Sequence, residues 1–253
     1  MTLEEKFIEK WGSNRFFMGL LKMYKRSYSY FFGIKKEMAF GTKLYFSWSN
    51  RFLERGRKNI IRMDKSVKCK HSSFTIMGKS NKIIIGAGSR IENVEFDMRG
   101  DGNCIIIGKN VLLRNAIVAS SDGGSILSIG DNTSTGKGLK VSAMESAKVQ
   151  IGNDCLFSTF ISIMNSDSHS IIDLNSNRRV NAAKDIKIGN HVWLGENVKV
   201  LKGVEIQDNV VIGNRSMLTK GLYQSNSVYV GSPAKLLRGG SIGVLRGLRV
   251  ISA

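Results

Sequence analysis

The sequence predicts a mainly β protein in which short strands stack in successive coils, and three observations predict this fold. Isoleucine-glycine pairs recur 22 residues apart, at Ile85-Gly86, Ile107-Gly108, Ile129-Gly130 and Ile151-Gly152. Aliphatic residues then recur every six positions from Ile188 onward. The chain also has 27 glycines and a single proline, a composition that suits many turns of which few are proline turns.

The six-residue spacing excludes the common alternatives. An amphipathic helix mixes apolar spacings of three and four, and a plain strand alternates every two residues. A single coil cannot bury its own aliphatic side chains, so neighbouring coils must bury them for each other. A β-sandwich would not hold the spacing over so many positions. The two apolar columns are Ile188, Leu194, Val200, Ile206, Ile212 and Leu218, and Val192, Val198, Val204 and Val210.

Composition limits the partners and the compartment. The formal net charge of +18 over 253 residues indicates an anionic partner: nucleic acid, an acidic membrane surface, an acidic polysaccharide or a phosphate-bearing cofactor. The three cysteines are widely spaced without a CxxC pair, which argues against disulfides and zinc. The first residues, "MTLEEKFIEKWG", lack the basic start of a signal peptide, and no apolar run reaches the roughly 18 residues of a membrane span. We therefore expect a cytoplasmic protein, with the inner face of the membrane as an alternative contact.

Two stretches of the C-terminal half resemble a known family. They are "IGNHVWLGENVKVLKGVEIQDNVVIGNRSMLTK", from Ile188, and "YVGSPAKLLR", from Tyr229. Both are similar to the hexapeptide-repeat acyltransferases, particularly the sugar and polysaccharide O-acetyltransferases, and the resemblance covers about residues 80–238. It implies a left-handed parallel β-helix of triangular section that assembles as a trimer. Since three hexapeptides make one coil, the 22-residue spacing corresponds to a coil of eighteen residues with a four-residue bulge.

Three segments follow from this interpretation. Residues 1–70 form a basic, aromatic and largely helical segment, residues 71–236 the β-helix, and residues 237–253 a C-terminal tail. The first segment has 17 Lys and Arg against 6 Asp and Glu, and its stretch 13–32 has helical apolar spacing. Such a helix fits a cap over the end of the β-helix, contact with another subunit, a membrane interface or a trough for an acidic polymer.

One polar segment, 165–183, interrupts the repeat. Ile151 and Ile188 are 37 residues apart, so one coil plus an insertion of about nineteen residues restores the register. This insertion predicts an exposed polar catalytic loop at about 164–184, and polar loops on rigid scaffolds commonly carry functional residues.

The insertion contains His169, flanked by Asp167 and Asp173. A neutral imidazole accepts a proton from an alcohol near pH 7, and a carboxylate on its second nitrogen would orient it. In the resembling transferases the histidine of such an "SDxHxxxD" segment is the catalytic base. The alternatives are a solvated loop histidine and aspartates that serve turns.

The resemblance also implies the binding residues. Trp193 is expected near the acceptor sugar or the cofactor, with packing between subunits as the alternative, and Asn165 is a second candidate contact to the substrate. The donor is acetyl-CoA, and no metal is expected. Its candidate contacts are Gly195, Gly213, Ser216, Lys220, Pro233, Lys235 and Arg238.

The resulting expectation is a trimeric acetyl-CoA-dependent O-acetyltransferase that acts by direct transfer. Its acceptor would be a bacterial surface glycan, an acidic capsular polysaccharide or lipopolysaccharide, or a lipid-linked precursor. Two alternatives remain at this point: a transferase of antibiotics or free sugars, and a nucleic-acid-binding protein. A carbonic anhydrase of the same fold is not favoured, because His71, His169 and His191 do not reproduce the spacing of its zinc ligands.

Overall fold

The computed structural model describes residues 50–240, which form 25 strands. In chain order the strands are β1 (Arg51–Arg57), β2 (Ile60–Met63), β3 (Lys68–Lys70), β4 (Ser73–Lys79), β5 (Lys82–Ile85), β6 (Arg90–Arg99), β7 (Cys104–Ile107), β8 (Leu112–Ser121), β9 (Ile126–Ile129), β10 (Ser134–Thr135), β11 (Lys140–Ala143), β12 (Lys148–Ile151), β13 (Leu156–Phe157), β14 (Ser162–Met164), β15 (Ile172–Asp173), β16 (Arg178–Arg179), β17 (Ile186–Ile188), β18 (Trp193–Leu194), β19 (Lys199–Leu201), β20 (Val204–Ile206), β21 (Val211–Ile212), β22 (Met217–Leu218), β23 (Gly221–Tyr223), β24 (Val228–Gly231) and β25 (Ala234–Arg238).

The strands lie in three columns that form the faces of a parallel β-helix. The first face contains β2, β5, β7, β9, β12, β17, β20 and β23. The second contains β3, β10, β13, β18, β21 and β24, together with the first halves of β6 and β8. The third contains β1, β4, β11, β14, β19 and β22, with the second halves of β6 and β8. The mainly β coil architecture is therefore confirmed.

The pairing register confirms the repeat. Ile83 pairs with Ile105, 22 residues away, and Ile105 pairs with Leu127. After the interruption the spacing falls to 18, as in Lys187 with Glu205. Across the interruption Val149 pairs with Ile186, 37 residues away, so the interrupted coil exceeds an 18-residue coil by the nineteen residues predicted.

The glycine of each Ile-Gly pair lies where two coils approach most closely. A methyl group placed on Gly130 would lie 2.5 Å from the carbonyl carbon of Gly152, and one on Gly152 would lie 2.5 Å from the carbonyl oxygen of Gly189. Atoms cannot approach so closely without a shift of the backbone, so the 22-residue motif reflects coil stacking.

Aliphatic residues and a short aromatic stack fill the interior. Phe52, Phe74 and Phe96 lie one above another, with ring centroids 4.7 Å apart and nearly parallel planes. At one corner Asn59, Asn81 and Asn103 form a buried ladder. Each Oδ1 accepts the backbone N–H of the equivalent residue in the next coil, which for Asn103 is Ser125. The ladder satisfies polar groups that the core would otherwise leave unpaired.

The predicted boundary at residue 71 is wrong. Strands β1, β2 and β3 occupy residues 51–70 and pair with β4, β5 and β6, so the coils begin about twenty residues earlier. The cause is that this stretch already carries the buried alternation of a coil, as at Ile61 and Met63. The predicted helix at 13–32 and most of the predicted tail 237–253 lie outside the described residues. Within 50–240, no helix is long and apolar enough to cross a membrane.

Candidate active site

The insertion lies within residues 165–185, which join β14 to β17, and it leaves the β-helix at the corner between the third and first faces. It begins after β14 and ends before β17, and its central part is a small antiparallel hairpin of β15 and β16. Because the strands on either side pair in register with the coils before and after them, the insertion projects from an uninterrupted scaffold.

His169 lies on the exposed surface of the insertion. Its backbone carbonyl accepts a hydrogen bond of 2.7 Å from Nδ2 of Asn181. Among residues 50–240, no hydrogen bond or ion pair involves its imidazole. Within this part of the chain, His169 is therefore held through its backbone and not through its ring.

Asp167 does not contact the imidazole of His169. Its Oδ2 accepts a hydrogen bond from Nζ of Lys202 and a second one, of 2.8 Å, from Nδ2 of Asn181. The hydrogen bond from the Lys202 ammonium, followed by that from Asn181, lowers the pKa of this carboxyl. Asp167 therefore joins the insertion to Lys202 in the next coil.

Asp173 stabilises the hairpin turn. Its Oδ1 accepts the backbone N–H groups of Asn175 and Ser176, at 2.9 and 2.7 Å, and the Ser176 hydroxyl at 3.0 Å. The hydrogen bonds from Ser176 lower the pKa of the Asp173 carboxyl. The expectation that one of the two aspartates orients His169 thus has no support in the contacts of residues 50–240.

The sequence analysis did not identify Asn181, although its side chain connects four other residues of the insertion. Its side chain is only 7% exposed and makes four hydrogen bonds. Nδ2 donates to Asp167 and to the carbonyl of His169, while Oδ1 accepts the backbone N–H of Ile171 and Nε of Arg179. An asparagine in a polar loop carries no signal of burial, which is why composition did not identify it.

Glu145 and Arg179 close the neck of the insertion. Glu145 lies on the corner of the preceding coil and accepts hydrogen bonds from Arg179, Ser166 and the backbone N–H of Ala183. These contacts reach both the outgoing and the returning chain of the insertion. The hydrogen bonds from Arg179 and then Ser166 lower the pKa of Glu145 to about 2. Glu145 and Arg179 are 34 residues apart in sequence, and no local sequence pattern predicts that they pair.

Asn165, expected at the substrate, has a structural role instead. Its side chain is fully buried, and both ends of its amide bind the backbone of Met144, at 2.9 and 3.0 Å. Because the side chain has no exposed surface, the amide cannot reach a ligand at the surface. The error arose because a polar residue at the edge of a loop was taken to be exposed.

The tip of the insertion is less polar than predicted. Ile171, Ile172, Leu174 and Val180 all expose much of their side chains, and Leu174 is 93% exposed. Polar residues dominate the composition of the segment, but they form its turns and its neck. An apolar tip of this kind is typical of a contact surface.

Trp193 lies on the second face, away from the corner where the insertion leaves the coils. It pairs with Leu156 and Val211 and is 42% exposed.

Gly195 and Gly213 follow β18 and β21 on the same face, one coil apart. A methyl group on either glycine would clash with the following coil, against Asn214 and Val230 respectively. Close packing of the coils therefore explains both glycines without a ligand.

Of the other expected cofactor residues, Ser216 is buried and its hydroxyl accepts the N–H of Gly231 at 3.0 Å, so it packs the last coils instead of facing a ligand. Lys220 is exposed beside β23. Pro233, Lys235 and Arg238 are exposed on the antiparallel hairpin of β24 and β25 that ends the β-helix. The structure thus places three exposed cations at the C-terminal end of the scaffold.

Comparisons with known proteins agree with this architecture. The family model described as bacterial transferase hexapeptide (six repeats) matches residues 185–220. The chain is 44% identical over 62 residues to the polysialic acid O-acetyltransferase of Neisseria meningitidis, and 39% identical over 66 residues to that of Escherichia coli O1:K1 / APEC. These matches cover 24% and 26% of this chain, and 29% and 21% of the two relatives, so the matched stretch spans about a quarter of each relative.

The solved structures match over much more of the chain. The polysialic acid O-acetyltransferase OatWY is 32% identical with a TM-score of 0.74, over 79% of this chain and 92% of that protein. The polysialic acid-specific acetyltransferase NeuO is 31% identical with a TM-score of 0.71, over 80% and 91%. Identity above 30% over more than nine-tenths of both solved structures means that the chain belongs to the hexapeptide-repeat O-acetyltransferase family.

Proposed function

We propose that this chain transfers an acetyl group from acetyl-CoA to a hydroxyl of an acidic bacterial surface polysaccharide. The observation that carries the proposal is His169, whose imidazole is unpartnered within the described chain and lies on an exposed insertion tied to the coils by Glu145, Asn181 and Lys202. The likeness to two polysialic acid O-acetyltransferases supports the acidic acceptor, and so does the net charge of +18.

In the proposed reaction His169 is the general base. The imidazole takes the proton of the acceptor hydroxyl as its oxygen attacks the carbonyl carbon of the thioester. The carbon–sulfur bond then breaks, and the departing thiolate of coenzyme A takes this proton from the imidazolium, which returns His169 to its neutral form. Transfer is direct, so no residue of the chain is acetylated.

The donor would lie along the second face. On that face Trp193 is 42% exposed and pairs with Leu156 and Val211 of the neighbouring coils, so the indole offers an apolar surface to the donor. Lys220, Lys235 and Arg238 would meet the phosphates of coenzyme A by charge-assisted contacts, and Pro233 would shape the turn next to them. Trp193 would contact the acceptor sugar or the donor through the face of its ring.

The proposed assembly is a trimer of left-handed β-helices. Within one subunit, Trp193 lies on the second face, whereas the insertion leaves from the corner between the third and first faces. The tryptophan beside His169 would therefore come from a second subunit. The apolar tip formed by Ile171, Ile172, Leu174 and Val180 suits contact with that subunit. We place the reaction in the cytoplasm, with the basic N-terminal segment directed to the acidic polymer or to the membrane surface.

The test measures release of coenzyme A from acetyl-CoA with polysialic acid, a second acidic capsular polysaccharide, a neutral dextran and free sugars as acceptors. Wild type and His169→Ala are compared, and product acetylation is followed by NMR. Release that depends on acidic polymer and disappears in the variant is the expected result. Release with free sugars alone would identify a small-molecule transferase, and equal rates in both proteins would remove His169 as the base.

A further inference from the structure

The position of His169 depends on few contacts. Its imidazole has no partner within residues 50–240, and the preceding residue, Ser168, has a left-handed backbone with φ of 63°. That conformation is uncommon for a residue other than glycine and costs free energy unless neighbouring contacts maintain it. The backbone contacts on either side of His169 therefore decide where the imidazole lies.

Those contacts converge on Asn181. A side-chain amide offers two donors and one oxygen with two lone pairs, and all four are used. Nδ2 donates to Asp167 at 2.8 Å and to the carbonyl of His169 at 2.7 Å, and Oδ1 accepts from the N–H of Ile171 at 2.7 Å. The amide thus binds the chain before, at and after the histidine. At 7% exposure, water does not easily replace these bonds.

Asn181 is in turn attached to two coils. Nε of Arg179 donates to its Oδ1, and the Arg179 guanidinium forms two parallel bonds, of 2.6 and 2.8 Å, with Glu145 of the preceding coil. Nζ of Lys202, in the following coil, donates to the backbone carbonyl of Asn181 at 2.9 Å. A continuous set of contacts therefore runs from the rigid scaffold through Asn181 to the backbone of His169.

We propose that Asn181 is a positioning residue for His169, holding the segment 167–171 so that the imidazole meets the acceptor hydroxyl. The proposal rests on the proposed function, in which His169 is the base. A general base must lie within hydrogen-bond reach of the proton that it takes, and a displacement of about 1 Å can lower a rate about 100-fold. Since Asn181 is only 7% exposed, it acts through the backbone of His169 and not by contact with a substrate.

Two substitutions test the role. Asn181→Ala removes all four bonds. Asn181→Asp keeps an oxygen for Ile171 and Arg179, but it removes both donated bonds and places a second carboxylate beside Asp167. We expect kcat to fall about 10- to 100-fold in both variants, with KM for acetyl-CoA and for the polymer within about twofold of wild type.

The matched control is Asn103→Ala. Asn103 is also a buried asparagine whose amide bridges two backbone segments, to Arg99 and Ser125, but it belongs to the corner ladder three coils earlier. We expect this variant to have a lower Tm and an unchanged kcat per folded molecule. If the Asn181 variants behaved in the same way, with loss of Tm alone, Asn181 would be structural only and the inference would be overturned.

A spectroscopic measurement distinguishes position from stability. The chain has three histidines, so three imidazole Cε1–H signals are expected in a carbon-labelled sample, and His169→Ala identifies one of them. In the folded Asn181 variants this signal should shift or broaden, while the signals of His71 and His191 stay in place. An unmoved His169 signal together with wild-type kcat would overturn the inference. If His169→Ala itself kept full activity, the proposed function would fail instead.

Discussion

Arg179 and Glu145 form a bidentate ion pair that fastens the returning chain of the insertion to the preceding coil, with Nη1–Oε2 at 2.6 Å and Nη2–Oε1 at 2.8 Å. Ser166 on the outgoing chain donates to the same carboxylate at 2.5 Å. One glutamate thus closes a loop of about twenty residues and determines how the candidate base is presented.

The attachment of the insertion should depend on pH through Glu145. Its pKa is about 2 in the folded protein against an ordinary 4.5. A lowered pKa means that the carboxylate contributes its full stabilisation above about pH 4.5 and loses it as the pH falls toward 2. We expect hydrogen exchange at the Ala183 amide of the wild type, corrected for its intrinsic rate, to be faster at pH 3 than at pH 5.

Glu145→Gln provides the matched control for this measurement. The variant has no titrating carboxylate at the neck, so its corrected exchange at Ala183 should be fast at both pH values. The amide of Gly152, which donates to the carbonyl of Ile188 within the coils, should stay protected in both proteins. Equal protection of Ala183 at pH 5 and pH 3 in the wild type would contradict the prediction.

Trp193→Ala should lower activity while the fold stays intact. The indole is 42% exposed on the second face, so its removal leaves no cavity in the coils. We expect kcat/KM to fall about 2- to 12-fold, since loss of one aromatic contact costs about 0.5–1.5 kcal/mol, and Trp193→Phe to retain most of the activity. Leu222→Ala, at a 51% exposed position on the first face, serves as control. Comparable losses in both alanine variants would argue against a contact between Trp193 and the substrates.

The two aspartates of the insertion should respond differently to substitution. Asp173→Asn keeps an oxygen that can accept the turn amides of Asn175 and Ser176, so we expect kcat within about threefold of wild type. Asp167→Ala removes the acceptor for Lys202 and Asn181 and should lower kcat more. Steady-state kinetics with the same polymer acceptor compares them. A larger loss in Asp173→Asn would restore Asp173 as the residue that orients His169.

Gly130→Ala should destabilise the β-helix. The added methyl group would lie 2.5 Å from the carbonyl carbon of Gly152, and overpacking of this kind costs about 1–3 kcal/mol. Thermal unfolding followed by circular dichroism measures the effect as a lower Tm. Gly239→Ala is the control, because its nearest neighbour would be the Ser227 hydroxyl at 3.7 Å. An unchanged Tm for Gly130→Ala would mean that the coils can separate at little cost.

Much of the scaffold could be predicted because its cause is local and periodic. Each inward position of a coil is buried by the equivalent position of the next, so the spacing of Ile85, Ile107 and Ile129 records the coil length directly. The 37-residue interval between Ile151 and Ile188 likewise records the length of the insertion, and the register confirms it. The predicted start of the coils was wrong because residues 51–70 combine the coil pattern with a basic composition, and this composition grouped them with the basic N-terminal segment.

The sequence by itself determined the periodic features of this protein: the stacked coils, the interruption and the chemical types of the side chains in it. Only the tertiary structure decided which of those side chains are free to react. Asn165 and Asn181 are both polar residues of one loop, yet burial commits each amide to backbone groups. Asp167 of the insertion is committed to Lys202 of the following coil, and Glu145 of the preceding coil is committed to Arg179 of the insertion. Hydrogen bonds between residues 34 or 35 positions apart depend on how coils stack in space, and no local pattern encodes them.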